Sequence, residues 1–150
     1  MDTLQQLIDE REICQLLGRF GEVMDNKEWT AIGEVYAHDV SFNYGGGEQK
    51  GLDTILALTR RHLDVCAGSQ HLIGTIRVQV EGDGATSRSY VQARHQGAGA
   101  KTHLFYDTSG EYTDRWERGE AGWRIVRRDA RWFMNMGDPS VIGIEEKPPA

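Results

Sequence analysis

A chain of 150 residues has the length of one domain and can bury about two-thirds of its unfolded surface without a disulfide or metal staple. Its formal charge of −6 argues against a nucleic-acid or anionic-membrane partner, and no apolar run reaches membrane-spanning length. Cys14 and Cys66 sit in apolar, helix-like surroundings with no CxxC spacing, and they read as buried thiols of a reduced cytoplasm.

The first residues, Met1-Asp2-Thr3-Leu4, have neither a basic nor an apolar leader region, so no signal peptide is expected. Ile13, Leu16, Leu17, Phe20 and Met24 repeat at the three-and-four spacing of an amphipathic helix, predicted over 3–24. Asp25 precedes Glu28 by three residues, the pattern of an N-cap and capping box for a second helix through Trp29, Ile32, Val35 and Tyr36. A short strand, Val40–Tyr44, runs into Gly45-Gly46-Gly47, and a third helix is predicted over about 53–65, ending near Gly68.

From His71 the period changes to two. A strand over 71–80 turns at Glu81-Gly82-Asp83-Gly84, where the Asp-Gly pair signals a hairpin, and returns over 85–96. After a loop at 97–100, Leu104-Phe105-Tyr106 and Gly110–Glu117 form the next strand, with a bulge expected near Ser109-Gly110. Gly119–Gly122 turns the chain into a final strand, 123–135, and 136–150 reads as a loose tail. Three helices followed by a meander make a single α+β domain, its helices packed on one face of a curved, mostly antiparallel sheet.

On the last strand Val126, Ala130, Trp132 and Met134 share a side with one charge, Arg128, which must find a partner or a polar ligand. The other side, with Arg127, Asp129 and Arg131, is solvent-facing or interfacial. The return strand puts Ser87, Ser89, Val91, Ala93 and His95 opposite the polar row Thr86, Arg88, Gln92 and Arg94.

The order of elements, with Asp25, His71 and Arg128, resembles the SnoaL-like branch of the nuclear transport factor 2-like superfamily, the branch of scytalone dehydratase, lindane dehydrochlorinase and bile-acid 7α-dehydratase. The resemblance spans about 4–144. It implies a cone-shaped α+β barrel in which Asp25 orients His71, a general base, with Arg128 as a third catalytic residue. His95, in Tyr90-Val91-Gln92-Ala93-Arg94-His95-Gln96, is similar to a second pocket histidine. Where relatives carry a lysine or tyrosine before the aspartate, this chain has Phe20, so the leaving-group contact passes to Tyr44, Tyr90, Tyr112 or His95. A ketosteroid isomerase pattern fits worse, because its base falls near Asn43 and an amide is no base. The resemblance also implies a homo-oligomer, a trimer in preference to a dimer.

Each of these residues has a structural role open to it as well. Asp25 suits a helix cap, His71 a strand end, and Arg128 an ion pair with Asp25 or Asp114. His38 beside Asp39 reads as surface, and His62 and His103 lack an evident partner. The glycine triplet lacks the Gly-Lys-Ser/Thr ending of a phosphate loop, and no ligand spacing indicates a metal. Tryptophans are mainly core material, with Trp116 and Trp132 expected to join Phe20, Tyr44, Tyr90, His95 and Tyr112 in lining a substrate pocket.

The expectation is therefore a cytoplasmic, cofactor-free lyase that removes a proton from a small apolar cyclic or aromatic compound and expels a leaving group. An isomerase or cyclase using the same dyad, and a non-catalytic small-molecule binding module, are the alternatives.

Overall fold

The computed structural model describes residues 2–145. Helix α1 (Thr3–Asp25) begins at Asp2, whose carboxylate accepts the Leu4 N–H, and buries Ile13, Leu17, Phe20 and Met24 as the spacing requires. Helix α2 spans Leu52–Leu63. The strands are β1 (Tyr36–Asn43), β2 (Gln49–Lys50), β3 (Cys66–Glu81), β4 (Gly84–Gly97), β5 (Phe105–Gly119) and β6 (Gly122–Gly137). They form one open sheet in the order β2-β1-β6-β5-β4-β3, antiparallel except where β1 pairs with β6. The expected α+β architecture is present, although the sheet is not closed and β2 and β3 are its edges.

Several boundaries differ from expectation. The second helix is a 3-10 segment, Trp29–Glu34, and Tyr36 already belongs to β1. The Asp25 side chain does not cap that segment, whose first turn has no side-chain cap. Asp25 is the last residue of α1 and reaches across to β3. Cys66 opens β3, five residues before the predicted start, so it is a buried strand residue rather than a helical one, while Cys14 on α1 is only half-buried. The stretch 66–70 escaped the period-two reading because its side chains are small or polar. The hairpin between β3 and β4 turns on Gly82-Asp83, with Gly82 at φ +62. A positive φ confined to the first central residue is the Gly-X turn, not the Asp-Gly turn. The expected tail is structured through Ile142: β6 ends at Gly137, and a 3-10 turn, Pro139–Ile142, capped by Asp138, buries Val141 and Ile142. Residues 146–150 of that tail lie outside the described residues.

Bulges set which side chains face inward. On β6 one extra residue, Val126, falls between the pairs Trp116–Ile125 and Arg115–Arg127. Another, Phe133, falls between Gly110–Trp132 and Ser109–Met134. Each shifts the alternation by one, so Trp123 and Ile125, then Arg128, Ala130 and Trp132, then Asn135 face inward. Val126 and Met134, expected on that face, do not. Gly21 marks the crossing of α1 over β3, where an added Cβ would stand 3.3 Å from the His71 carbonyl oxygen.

Arg128 is fully buried and donates to both carboxylate oxygens of Asp114, at 2.7 and 2.8 Å. Its guanidinium carbon lies 3.8 Å from the Tyr112 ring centre and 4.4 Å from that of Phe20. Burial pushes the Asp114 carboxyl up and the adjacent guanidinium opposes that shift. The bidentate geometry is that of an ionised pair. Removing one member strands the other charge in the core, so Arg128→Met should cost about 3–5 kcal/mol in urea unfolding. The double change Arg128→Met with Asp114→Leu should recover most of that loss.

Candidate active site

The end of α1 and the head of β3 meet at one carboxylate. Asp25 Oδ1 accepts from His71 Nδ1 at 2.6 Å and from the Ser69 hydroxyl at 3.1 Å, and Oδ2 accepts the His71 backbone N–H at 2.9 Å. A carboxylate only accepts, so Nδ1 carries a proton, and in the neutral ring Nε2 is the nitrogen with the lone pair. The His71 side chain is 8% exposed and its ring lines a cavity of about 470 Å³. Ser69 was not anticipated. It lies two residues before His71 on the same strand face, and that spacing was its available signal.

His95 faces the same cavity from β4, its ring centre 5.8 Å from that of His71. Its Nδ1 lies 2.8 Å from the Tyr106 carbonyl oxygen, which again fixes the proton on Nδ1. Burial, the largest influence, holds the His95 pKa below its ordinary value, against the hydrogen bond to Tyr106. The histidine is therefore a neutral second imidazole in the cavity.

Phe20, Tyr44, Tyr112 and Trp132 line the cavity as expected of a wall, joined by Met24, Leu58, Leu63 and Ile142. Trp132 Nε1 donates to the Tyr44 carbonyl at 3.2 Å and pins the chain there. Two expected wall residues are elsewhere. Tyr90 alternates onto the outer face of the sheet, half-exposed, with its ring edge-on to Phe133. Trp116 faces inward but belongs to the solid core near the other end of β5, where its Nε1 donates to Ser87 at 2.8 Å. Face was legible from alternation, whereas position along the strand relative to the cavity was not.

Arg128 also stands apart from the cavity, behind the rings of Phe20 and Tyr112. It reaches the wall through hydrogen bonds. Nη1 donates to the Tyr36 hydroxyl at 3.0 Å, and that hydroxyl lies 3.0 Å from the Tyr44 hydroxyl. Tyr36 is fully buried, and burial pushes its pKa well up despite Arg128 nearby, so it stays a phenol. With one lone pair taken by Arg128, its own O–H needs an acceptor, and Tyr44 supplies one. The Tyr44 O–H is then free to donate into the cavity. Tyr36 was read as a helical apolar residue, so no sequence signal marked this relay.

His62, for which no partner was evident, has Nδ1 2.9 Å from the Ile142 carbonyl oxygen and ties the C-terminal 3-10 turn against α2 at the cavity rim. Among the described residues, no helix is long and apolar enough to cross a membrane.

The sequence profile of the SnoaL-like domain matches residues 5–129, and the chain belongs to that family. It is 26% identical over 141 residues to an uncharacterized protein of Mycobacterium tuberculosis, covering 91% of this chain and 94% of that one. Two solved structures share the fold. One is a candidate scytalone dehydratase from Novosphingobium aromaticivorans, with a TM-score of 0.78 and 20% identity over 87% of both chains. The other is a hexachlorocyclohexane dehydrochlorinase, with a TM-score of 0.73 and 18% identity over 93% of both chains. At these identities the likeness is one of architecture.

The lowered His95 pKa has a consequence for stability. Below the ordinary histidine value of about 6.5 the unfolded chain takes up a proton that the folded chain refuses, so this contribution is full above that pH and lost as pH falls. Between pH 7.5 and 5.5 the wild-type urea midpoint should fall. In His95→Asn, which keeps a donor for the Tyr106 carbonyl but has no titrating group, the fall should be shallower.

Proposed function

We propose that this SnoaL-like protein is a cofactor-free lyase acting on a small, largely apolar, ring-containing compound. The observation that carries the reading is the 2.6 Å contact between His71 Nδ1 and Asp25, which leaves Nε2 as the free nitrogen of an imidazole that lines an aromatic-walled cavity. Nε2 takes a proton from a carbon beside an activating group, and Asp25 stabilises the imidazolium that forms. The C–H electron pair becomes the new double bond, and the leaving group departs with the electrons of its own bond. Tyr44 hydrogen-bonds that group. Where hydroxide departs, the phenol proton completes water, and a proton equivalent to the one held by His71 restores the phenol. Arg128 is a positioning residue here: it acts on Tyr44 through Tyr36 and does not touch substrate. The names of the two structural neighbours, a dehydratase and a dehydrochlorinase, agree with an elimination.

The relay favours water loss over halide loss, because a departing hydroxide needs a proton and a halide does not. An isomerase is the second reading. It is favoured by His95, whose free Nε2 can accept the proton that His71 has removed and then give it to a different carbon of the substrate, which leaves both imidazoles neutral again. We also place contacts between copies of this chain on the outer sheet face, where Leu72, Tyr90, Phe133 and Met134 are exposed.

The test is mass spectrometry of products from a panel of cyclic alcohols, β-hydroxy aromatics and haloalkanes. Wild type should release water from at least one compound. His71→Ala and Asp25→Asn should each lower kcat by about 10²–10⁴-fold, the ordinary worth of a positioned base. Tyr44→Phe should slow alcohols more than halides. Conversion without mass loss would move the isomerase reading ahead, and tight binding without conversion would leave the cavity a binding site.

A further inference from the structure

We propose that the substrate carries a carboxylate, held at the cavity mouth by Arg61; this rests on reading the cavity as the substrate site. The chain has 23 acidic residues and a net charge of −6, yet among the described residues no aspartate or glutamate lines the cavity. The ionisable lining among these residues consists of histidines, tyrosines and one arginine. The single carboxylate at the site, Asp25, stands behind His71 and is engaged by it.

Arg61 lies in the last turn of α2 and is exposed, so it belongs to the mouth together with Trp132, Asn135 and Ile144. Its neighbour Arg60 is occupied by Asp64 at 2.7 Å, whereas Arg61 makes no ion pair among the described residues. A permanent positive charge on the rim of a mostly apolar cavity, in a protein of net negative charge, concentrates anions there rather than deeper. Deeper burial would cost an anion its hydration. At the mouth it keeps part of its water and gains a planar, two-donor partner. One guanidinium suits a singly charged carboxylate. A phosphate dianion calls for several cations, and among the described residues the lining holds a single arginine and no lysine.

The direct test is calorimetric binding of matched pairs, each an aromatic acid and its methyl ester: 2-naphthoate, 1-naphthylacetate and biphenyl-4-carboxylate. At low salt the acids should bind wild type about 3–10-fold tighter than their esters, the range of a partly exposed charged pair. Arg61→Gln should abolish the preference and Arg61→Glu should reverse it, with ester affinities unchanged, which also shows that the variants are folded. The same preference should persist in His71→Ala, so a failure of the elimination reading leaves this outcome intact. Equal binding of acids and esters across the panel, a preference that survives Arg61→Gln, or binding of neither partner would each overturn the proposal.

Discussion

A carboxylate at the C-terminal end of a helix sits at the wrong pole of the helix dipole. The last turn of α1 has no basic residue to offset it. Asp25 is tolerated there because β3 presents three donors to it: the His71 backbone N–H, the His71 ring and the Ser69 hydroxyl. The anchor works in both directions. It fixes the end of α1 against the sheet edge, close enough that residue 21 can only be small, and it fixes the histidine tautomer that leaves Nε2 free. The α1–β3 junction and the proposed proton-abstracting group are thus one structure. A residue that breaks a local rule and is repaid by a distant partner is the pattern expected of a functional site.

The second buried polar centre has a different purpose. Arg128 and Asp114 neutralise each other within the core, and Phe20 and Tyr112 separate them from the cavity. Such a pair adds little net stability compared with apolar residues of the same volume, but it costs a great deal to break. What it fixes is direction. With Arg128 donating to Tyr36, the Tyr36 proton is best satisfied outward, on Tyr44, which leaves the Tyr44 O–H for the cavity.

These two centres explain what the sequence revealed and what it hid. Asp25, His71 and the inward row Ser87, Ser89, Val91, Ala93 and His95 were legible because they depend on alternation or on a resemblance with fixed positions. Arg128 was legible as anomalous, and Asp114 was among its expected partners, yet its distance from the cavity was not legible. That distance depends on which ring lies between, a matter of side-chain packing. The faces of β6 were misread at Val126 and Met134 because two bulges shift the alternation, and a bulge on β6 leaves no mark in composition. Tyr36 was absorbed into a helix because Trp29, Ile32 and Val35 continue a three-and-four spacing that the chain abandons after Glu34. The relay was hidden along with it.

Phe20 links the two halves of the site. A cation at that position would face the cavity and contact a leaving group directly. Phe20 instead covers a guanidinium from one side, and the proposed contact with the leaving group falls to the Tyr44 phenol. A cation in the cavity stabilises any departing anion, whereas a phenol discriminates, giving most to a basic oxygen that can take its proton. Placing the core charge behind Phe20 also keeps that part of the wall apolar, and low local polarity strengthens a hydrogen bond made against it. The one arginine or lysine that lines the cavity among the described residues, Arg61, is on the rim, away from the Asp25–His71 contact. Under the proposed reading the division of labour follows: charge orients the substrate at the mouth, and neutral donors and acceptors carry out the proton transfers inside.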